Sequence, residues 1–502
     1  MENKNFFLGI DIGTYSTKGV IIDNNGKVIF SHQVSHTLDN PKTNYFEHDA
    51  EKIWWNDFCI ISKNLLNRNE IIKRNLKGVG ISTLGADCLP VDKDCVPLRK
   101  AILYGIDARC QKEIEEITSI LGEKNIYEML GRPLCSGDVI GKILWIKKNE
   151  PSIYEKTYKF LTGSSYIVAK LTKNFVIDSF LASASFRPLY DLKGNINFDI
   201  CSLFCSPDQL VNSQTVTSIA GYINEEIEKE TSIPKGVPVI TGTGDSAAEA
   251  ISVGVLEPGD MMIQFGSSIF IYLCTEKLTY DSRVRGNTFV IPNTFSVAAG
   301  TNNCGTLQKW YKDEIFNISP NEKNPYSVLM MDIEKIQPGS ENLITLPYFA
   351  GERTPINNPN AKGVIFGLTL NHTKKHLYRS MLESIGYSIK QHIDIFSEKN
   401  IKLNRIIAAG GGTNNLIWMQ IISDIINEKL YIPEENIGAS YGDALMAGIG
   451  VGEFKNFSSL KEFIKIKKVL YPNSENHKKY KKYQKIYNTL YSVTKNVMDE
   501  LK

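Results

Sequence analysis

The segment Asp11-Ile12-Gly13-Thr14-Tyr15-Ser16-Thr17-Lys18 gathers a carboxylate, a glycine, a run of hydroxyls and a lysine in one short stretch. Such a stretch can surround a polyphosphate. Backbone N–H groups and hydroxyls donate to phosphate oxygens, Lys18 adds positive charge, and Asp11 can hold a hydrated Mg²⁺, which takes one or two carboxylates and keeps several waters. It is not a P-loop, because no G-x-x-x-x-G-K-[S/T] occurs in the chain and this turn enters a strand where a P-loop enters a helix. The alternative is a plain β-turn in which Asp and Gly serve geometry. Gly242-Thr243-Gly244-Asp245-Ser246-Ala247 lies between an apolar β-rich run and an Ala-rich one, and it mimics a dinucleotide fingerprint. Gln264-Phe265-Gly266 stands where that fingerprint needs an acid for the ribose, so hydride transfer with a nicotinamide is not expected. What the motif offers is Asp245 at a helix N-terminus, as a helix cap or as a general base. Gly410-Gly411-Gly412 lets a flat ligand such as adenine, or a packed helix, come close to the backbone. The seven histidines show no metal-ligand spacing, and neither zinc hydrolysis nor serine-hydrolase chemistry is expected.

These turns need elements to hold them. Residues 6–10, 18–23 and 27–31 read as successive strands of a β-meander, with Asn24-Asn25-Gly26 as a left-handed turn. Residues 51–68 carry Trp54, Trp55, Phe58, Ile61 and Leu65 at helical spacing, and 77–82 is a short buried strand, so helix and strand alternate and an α/β fold is expected. Residues 237–241 predict a strand, 246–255 a helix, and Glu257-Pro258-Gly259-Asp260 the best domain boundary. Residues 261–265, Gly266-Ser267-Ser268 and 269–273 then repeat the opening scheme half a chain later, which predicts duplication of one domain type. A strand at 405–409 and helices at 414–428 and 440–450 end the second half. The Lys-rich tail from His477 places Tyr480, Tyr483, Tyr487 and Tyr491 on one face of a surface helix.

Composition narrows the function classes. The chain has 502 residues, more than one core usually serves, and 57 Lys+Arg stand against 55 Asp+Glu. That balance argues against a nucleic-acid partner. No run approaches the ~18 apolar residues of a membrane span, and the apolar start is cut by Asp11, so a cytoplasmic protein is expected. Nine scattered cysteines read as reduced, mostly buried thiols.

Taken together these segments resemble the FGGY family of carbohydrate kinases, within the actin-like ATPase superfamily, along nearly the whole chain. Gly363-Val364-Ile365-Phe366-Gly367-Leu368, then His376-Leu377 and Ser380-Met381-Leu382-Glu383, look like the family's C-terminal signature. Leu346-Pro347-Tyr348-Phe349-Ala350-Gly351-Glu352-Arg353-Thr354-Pro355 is similar to the xylulokinase branch. Lys142-Ile143-Leu144-Trp145-Ile146 resembles the N-terminal signature, with Val139 where the family has Pro, Ser or Thr.

The resemblance implies an α/β fold of two actin-like, ribonuclease H-like domains related by duplication, with a cleft between them. Residues 1–255 would hold the sugar and the base, and 256–502 the nucleotide. ATP and Mg²⁺ would be used, with Asp11 and Asp245 as catalytic residues and metal ligands. Gly13, Thr14, Tyr15, Ser16, Lys18, Gly266, Ser267 and Ser268 would face the phosphates, and Gly411, Gly412, Thr413 and Asn414 the adenosine. Sugar contacts would come from Leu84, Gly85, Ala86, Asp87, Asp107, Arg109, Asp245 and Ser246. At Leu84-Gly85-Ala86 the xylulokinases carry Gln-Met-His and the glycerol kinases Gln-Arg-Glu; at Ser246 they carry Asn and Gln. D-Xylulose is thus the nearest substrate, with a ribulose-, erythritol- or glycerol-type kinase and a noncatalytic actin-like nucleotide binder as alternatives. Many relatives are dimers, so a homodimer belongs to the same expectation; no nucleic acid and no membrane partner does.

Overall fold

Phe6–Ile12 (β1) is apolar on both faces and covered on both, as in a strand held inside a sheet flanked by helices. In the computed structural model, which describes residues 4–435 and 437–501, β1 pairs antiparallel with Ser16–Asp23 (β2), and β2 with Val28–Ser35 (β3). The expected meander therefore forms, and Gly26 takes φ +70° in its second turn. The helix expected at 51–68 opens instead as a wider π-helical turn, Ala50–Trp55, which buries the adjacent indoles of Trp54 and Trp55 before Asn56–Leu66 (α1) begins. Leu76–Thr83 (β4) lies parallel to the other side of β1.

Beyond β4 come Val139–Asn149 (α2) and Ser179–Ser185 (α3). Ile219–Tyr222 (β5) then runs antiparallel to Pro238–Ile240 (β6), and β6 and Thr243–Gly244 (β7) both run parallel to β4. Asp245–Val253 (α4) follows directly.

The second half builds a sheet from Asp260–Phe265 (β8), Ile269–Thr275 (β9), Arg285–Thr288 (β10) and Phe295–Thr301 (β11). Lys374–Glu398 (α5) leads to Arg405–Ala409 (β12), Leu416–Ile426 (α6) and Leu430–Pro433 (β13); Ala439–Gly450 (α7), Ile466–Leu470 (β14) and Ser474–Asp499 (α8) close the chain. Strand order is β5-β6-β4-β1-β2-β3 in the first sheet and β10-β11-β9-β8-β12-β13-β14 in the second. The run β3-β2-β1-β4-β6 thus recurs as β11-β9-β8-β12-β13 with the same parallel and antiparallel senses, so the duplication read from the two glycine turns is present in the topology.

Each sheet has its own apolar core. In the second, Tyr480 and Tyr487 of α8 are buried against Tyr387, with the intervening lysines outward. One element crosses the line expected at 255: α7 packs on β1 and β4 of the first sheet. It lies so flat that a Cβ on Gly9 would stand 1.9 Å from the Ser440 carbonyl oxygen, and one on Gly80 2.1 Å from that of Asp443. The small residues along α7 serve this close approach. Among the described residues all nine cysteines are free and no helix is long and apolar enough to cross a membrane.

Overfilling such a contact costs about 1–3 kcal/mol. Gly80→Ala is therefore expected to lower the thermal midpoint by several degrees, whereas Gly411→Ala, whose Cβ would meet nothing within 4 Å, leaves it in place. Equal midpoints for the two variants in a thermal melt would contradict the close packing of α7.

Candidate active site

Sheet register gathers the first candidates. Asp11 closes β1 and stands opposite Lys18 of β2 on one side and Ser82 of β4 on the other; Ser82 in turn stands opposite Thr243 of β7, two residues before Asp245. Asp11 and Asp245 thus leave the carboxyl ends of parallel strands, where α/β sheets hold ligands. Asp245 is the first residue of α4, and Gly244 is its cap, so the helix-cap alternative falls away. Its Oδ1 accepts the N–H of the next residue, Ser246, at 2.6 Å.

Burial and the charge of Asp245 push the Asp11 carboxyl up to about 8, with the Ser82 hydroxyl and Lys18 pulling the other way. Burial lifts Asp245 to about 6. Two further acids join them. Glu249, one turn along α4 from Asp245, is raised by burial to about 7 and accepts a hydrogen bond from Gln264 at 3.2 Å. Asp443 of α7, fully buried, is held well above the usual carboxylate range by burial and by Asp11. Ser82 Oγ lies 2.9 Å from Asp11 Oδ1 and 2.7 Å from Asp443 Oδ2. Four carboxyls with Lys18 as the cation acting on two of them form an acidic focus that suits a divalent cation. Among the described residues no three metal-ligating side chains converge. That fits an Mg²⁺ held partly through phosphate oxygens and water, with one or two carboxylates from the protein.

The first turn is braced from outside. Gly13 N–H donates to the Ser16 carbonyl at 3.0 Å, and the Gly13 and Thr14 carbonyls accept from His36 and His48 at 3.1 and 3.2 Å. Trp54 Nε1–H donates to His48 Nδ1, which places the His48 proton on the nitrogen facing Thr14. Thr14 Oγ1 lies 3.2 Å from the Tyr104 hydroxyl, and Tyr15 is exposed. The second turn is closed by Gly266 N–H donating to the Ser268 carbonyl, while the Ser267 carbonyl accepts the Cys304 and Thr306 N–H groups. A cavity of about 1190 Å³ joins Gly266 and Ser267 to Gly411, Gly412 and Asn414, with Tyr326, Met330 and Leu416 among its apolar walls. Thr413 turns its hydroxyl back to the Gly410 carbonyl.

On the other side of Asp245, the loop after β4 carries Leu84, Gly85, Ala86 and Asp87. The Gly85 carbonyl accepts from Ser185 at 2.7 Å and that of Ala86 from Lys142 at 2.5 Å. Asp87 is fully buried; burial raises it well above its usual range, with Lys142 as the opposing charge and Asp245 close enough to add to the rise. Asp107 and Arg109 come together in a closed network. The Arg109 guanidinium grips Asp107 and Glu47 and lies over the Tyr45 ring, and Asp107 also accepts the Phe46 N–H. That network leaves the pair bracing the hairpin around residues 45–48. The chain also spells G-x-S-x-G at Gly438-Ala439-Ser440-Tyr441-Gly442, but Ser440 is buried in α7 and among the described residues no base reaches its hydroxyl.

Ser82, Glu249, Asp443 and Tyr104 are site residues that sequence reading missed. Glu249 follows Asp245 at i, i+4, a spacing that shares one helix face. Asp443 is a lone acid in a helix of small residues, which was its only signal.

Because their folded values lie above the ordinary 3.8 to 4.5, Asp11, Glu249 and Asp245 favour the fold while protonated, and that stability drains away as pH rises from about 4 through about 8. The thermal midpoint of the ligand-free chain is expected to fall across that window, and Asp11→Asn, permanently neutral, to fall less and to exceed the wild type at the alkaline end. Parallel curves would contradict the elevated acids.

The FGGY family of carbohydrate kinases matches the chain twice, its N-terminal domain over residues 6–252 and its C-terminal domain over 261–451. The xylulose kinase of Staphylococcus xylosus is 29% identical over 97% of this chain and 99% of that protein. The gluconokinase of Bacillus subtilis strain 168 is 28% identical over 91% of this chain and 90% of that one. The crystal structure of xylulose kinase from Rhodospirillum rubrum superposes with a TM-score of 0.91 at 22% identity, over 99% of this chain and 100% of that one. With matching domains in sequence on both halves and a duplicated α/β fold that places its turns and carboxylates together, the chain belongs to the FGGY family of carbohydrate kinases.

Proposed function

We propose that this carbohydrate kinase transfers the γ-phosphoryl group of ATP to a hydroxyl of a ketopentose, D-xylulose first among the candidates, in the cytoplasm. The observation that carries this reading is the register that sets Asp11, Lys18 and Asp245 at one end of the first sheet. The names of the xylulose kinase relatives support the substrate. Residues 1–255 would present the sugar and 256–502 the nucleotide, with α7 as the crossing element. Adenosine would enter the cavity beside Gly411 and Gly412, and the turns at 13–16 and 266–268 would donate to phosphate oxygens.

Asp245 then acts as general base. It accepts the proton of the sugar hydroxyl as that oxygen attacks the γ-phosphorus, and the bond from phosphorus to the bridging oxygen breaks to release ADP. A base held at about 6 is ionised at neutral pH yet still basic enough for the task. A divalent cation such as Mg²⁺, when bound, would supply neutralisation of phosphate charge, and Asp11 and Asp245 are the carboxylates that would hold it. Lys18 adds a fixed positive charge. The loop at 84–87 and Ser246 would face the sugar, while Asp107 and Arg109 would keep the neighbouring hairpin in place.

The test is ATP consumption with Mg²⁺ over a panel of D- and L-ketopentoses, pentitols, glycerol and gluconate. Turnover of D-xylulose above the others is expected. Asp245→Asn should lower kcat about 10²–10⁴-fold while ATP affinity stays nearly unchanged. Retained turnover in that variant would remove Asp245 from the role of base; ATP binding without turnover of any sugar would favour a noncatalytic nucleotide binder.

A further inference from the structure

Three guanidiniums, those of Arg132, Arg187 and Arg285, gather around the carboxylate of Asp138 where the first half meets β10 of the second. Positive charge is in excess among them. Arg187, two residues past the end of α3, is 4% exposed, and among the described residues no acceptor reaches its Nε or Nη1. Burying N–H groups of a charged side chain unsatisfied is costly, and a group kept at that cost calls for something to satisfy it. Asp138, the carboxylate whose charge reaches Arg187, is already taken. Arg132 grips it through both Nη atoms at 2.8 and 2.6 Å, and the Cys135 N–H donates to it at 2.8 Å. Arg285 is exposed at the start of β10, and its Nη2 lies 3.8 Å from the Cys135 sulfur, the same distance as Arg132 Nη1. Burial holds the Arg187 guanidinium below its usual range; the Tyr280 hydroxyl and Asp138 oppose that, and the like charge of Arg132 adds to it.

Exposure rises from Arg187 through Arg132, whose side chain is 15% exposed, to Arg285, so the cluster faces solvent at one end. The two halves already touch beside it, where the Tyr280 hydroxyl donates to the Met129 carbonyl at 3.1 Å. We propose that Arg132, Arg187 and Arg285 form an anion site for a small tetrahedral oxyanion, inorganic phosphate or the phosphate group of an ester. Its oxygens accept from the Arg187 N–H groups that lack a partner, and the planar fork of a guanidinium suits paired phosphate oxygens. Arg132 and Arg187 come from the first half and Arg285 from the second, so a bound anion ties the halves together. The site is separate from the glycine turns. Ser185 Oγ donates to the Gly85 carbonyl and Ser136 Oγ to that of Gly105 at 3.0 Å, which sets the cluster beside the loops that carry those two glycines.

The test is the thermal midpoint of the full chain in sodium phosphate against sodium chloride of equal ionic strength, for the wild type, Arg187→Met, Arg285→Gln and Lys18→Met. Phosphate is expected to raise the wild-type midpoint by about 1–3 °C. Lys18→Met, which weakens the phosphate turn at 13–18, keeps that rise; Arg187→Met loses it, and Arg285→Gln, an exposed change that leaves the fold alone, loses about half. In chloride, Arg187→Met should melt no lower than the wild type, because it removes a buried charge that lacks its partner. A lower midpoint there would make the guanidinium a structural partner and overturn the site. So would the absence of any rise in the wild type, or a rise that survives Arg187→Met and vanishes in Lys18→Met. A second arm uses glycerol phosphate in place of inorganic phosphate. A rise that depends on Arg187 with both probes supports a site for phosphate groups at large, and one with inorganic phosphate alone supports a site for the free ion.

Discussion

Four carboxyl groups from three separate segments lie near enough for the charge of one to bear on another, and their repulsion is the constraint around which the site is arranged. Asp11, Asp245, Glu249 and Asp443 are all lifted by burial, and Asp245 acts on each of the other three. Such a cluster stays folded only if protons or cations offset it. Lys18 and the Ser82 hydroxyl do part of this within the chain. The rest is left to whatever the cleft binds, which is why an acidic focus beside glycine turns is a natural seat for a metal-bound polyphosphate.

The fold supplies the geometry by repetition. A strand, a small-residue turn and a second strand occur once in each half, and each copy sits at the same position in its sheet. The loop at 84–87 follows β4 as the glycine turn at 410–412 follows β12, so these two loops are corresponding places on two copies of one scaffold. Helices α4 and α7 then pack against each other tightly enough that a Cβ on Gly442 would stand 2.0 Å from the Ala248 carbonyl oxygen. Crossing there, α4 brings Asp245 and Glu249, and α7 brings Asp443.

Local chemistry was legible in the sequence and tertiary chemistry was not. The two glycine and hydroxyl turns, the strand ends carrying Asp11 and Asp245, and the duplication all lie in short segments whose residue types declare them. Asp443 lies 361 residues from Ser82, and nothing in its neighbours announces that α7 leaves its own half to lie on β1 and β4. Asp107 and Arg109 were legible as a pair, but Glu47, 62 residues before Arg109, joins them in a network that the sequence does not announce. The opening of the helix at 51–68 differs for a similar reason, since burying both Trp54 and Trp55 is a demand of the core that helical spacing does not express.

In the proposed reaction Asp245, set among other acids, is the base. The pH dependence of kcat/KM tests it most directly, because that profile reports the ionisation of the free enzyme's essential groups. A tenfold rise per pH unit is expected on the acid side, levelling near pH 6, where Asp245 is held. A profile level from about pH 5 to about pH 8 would contradict it.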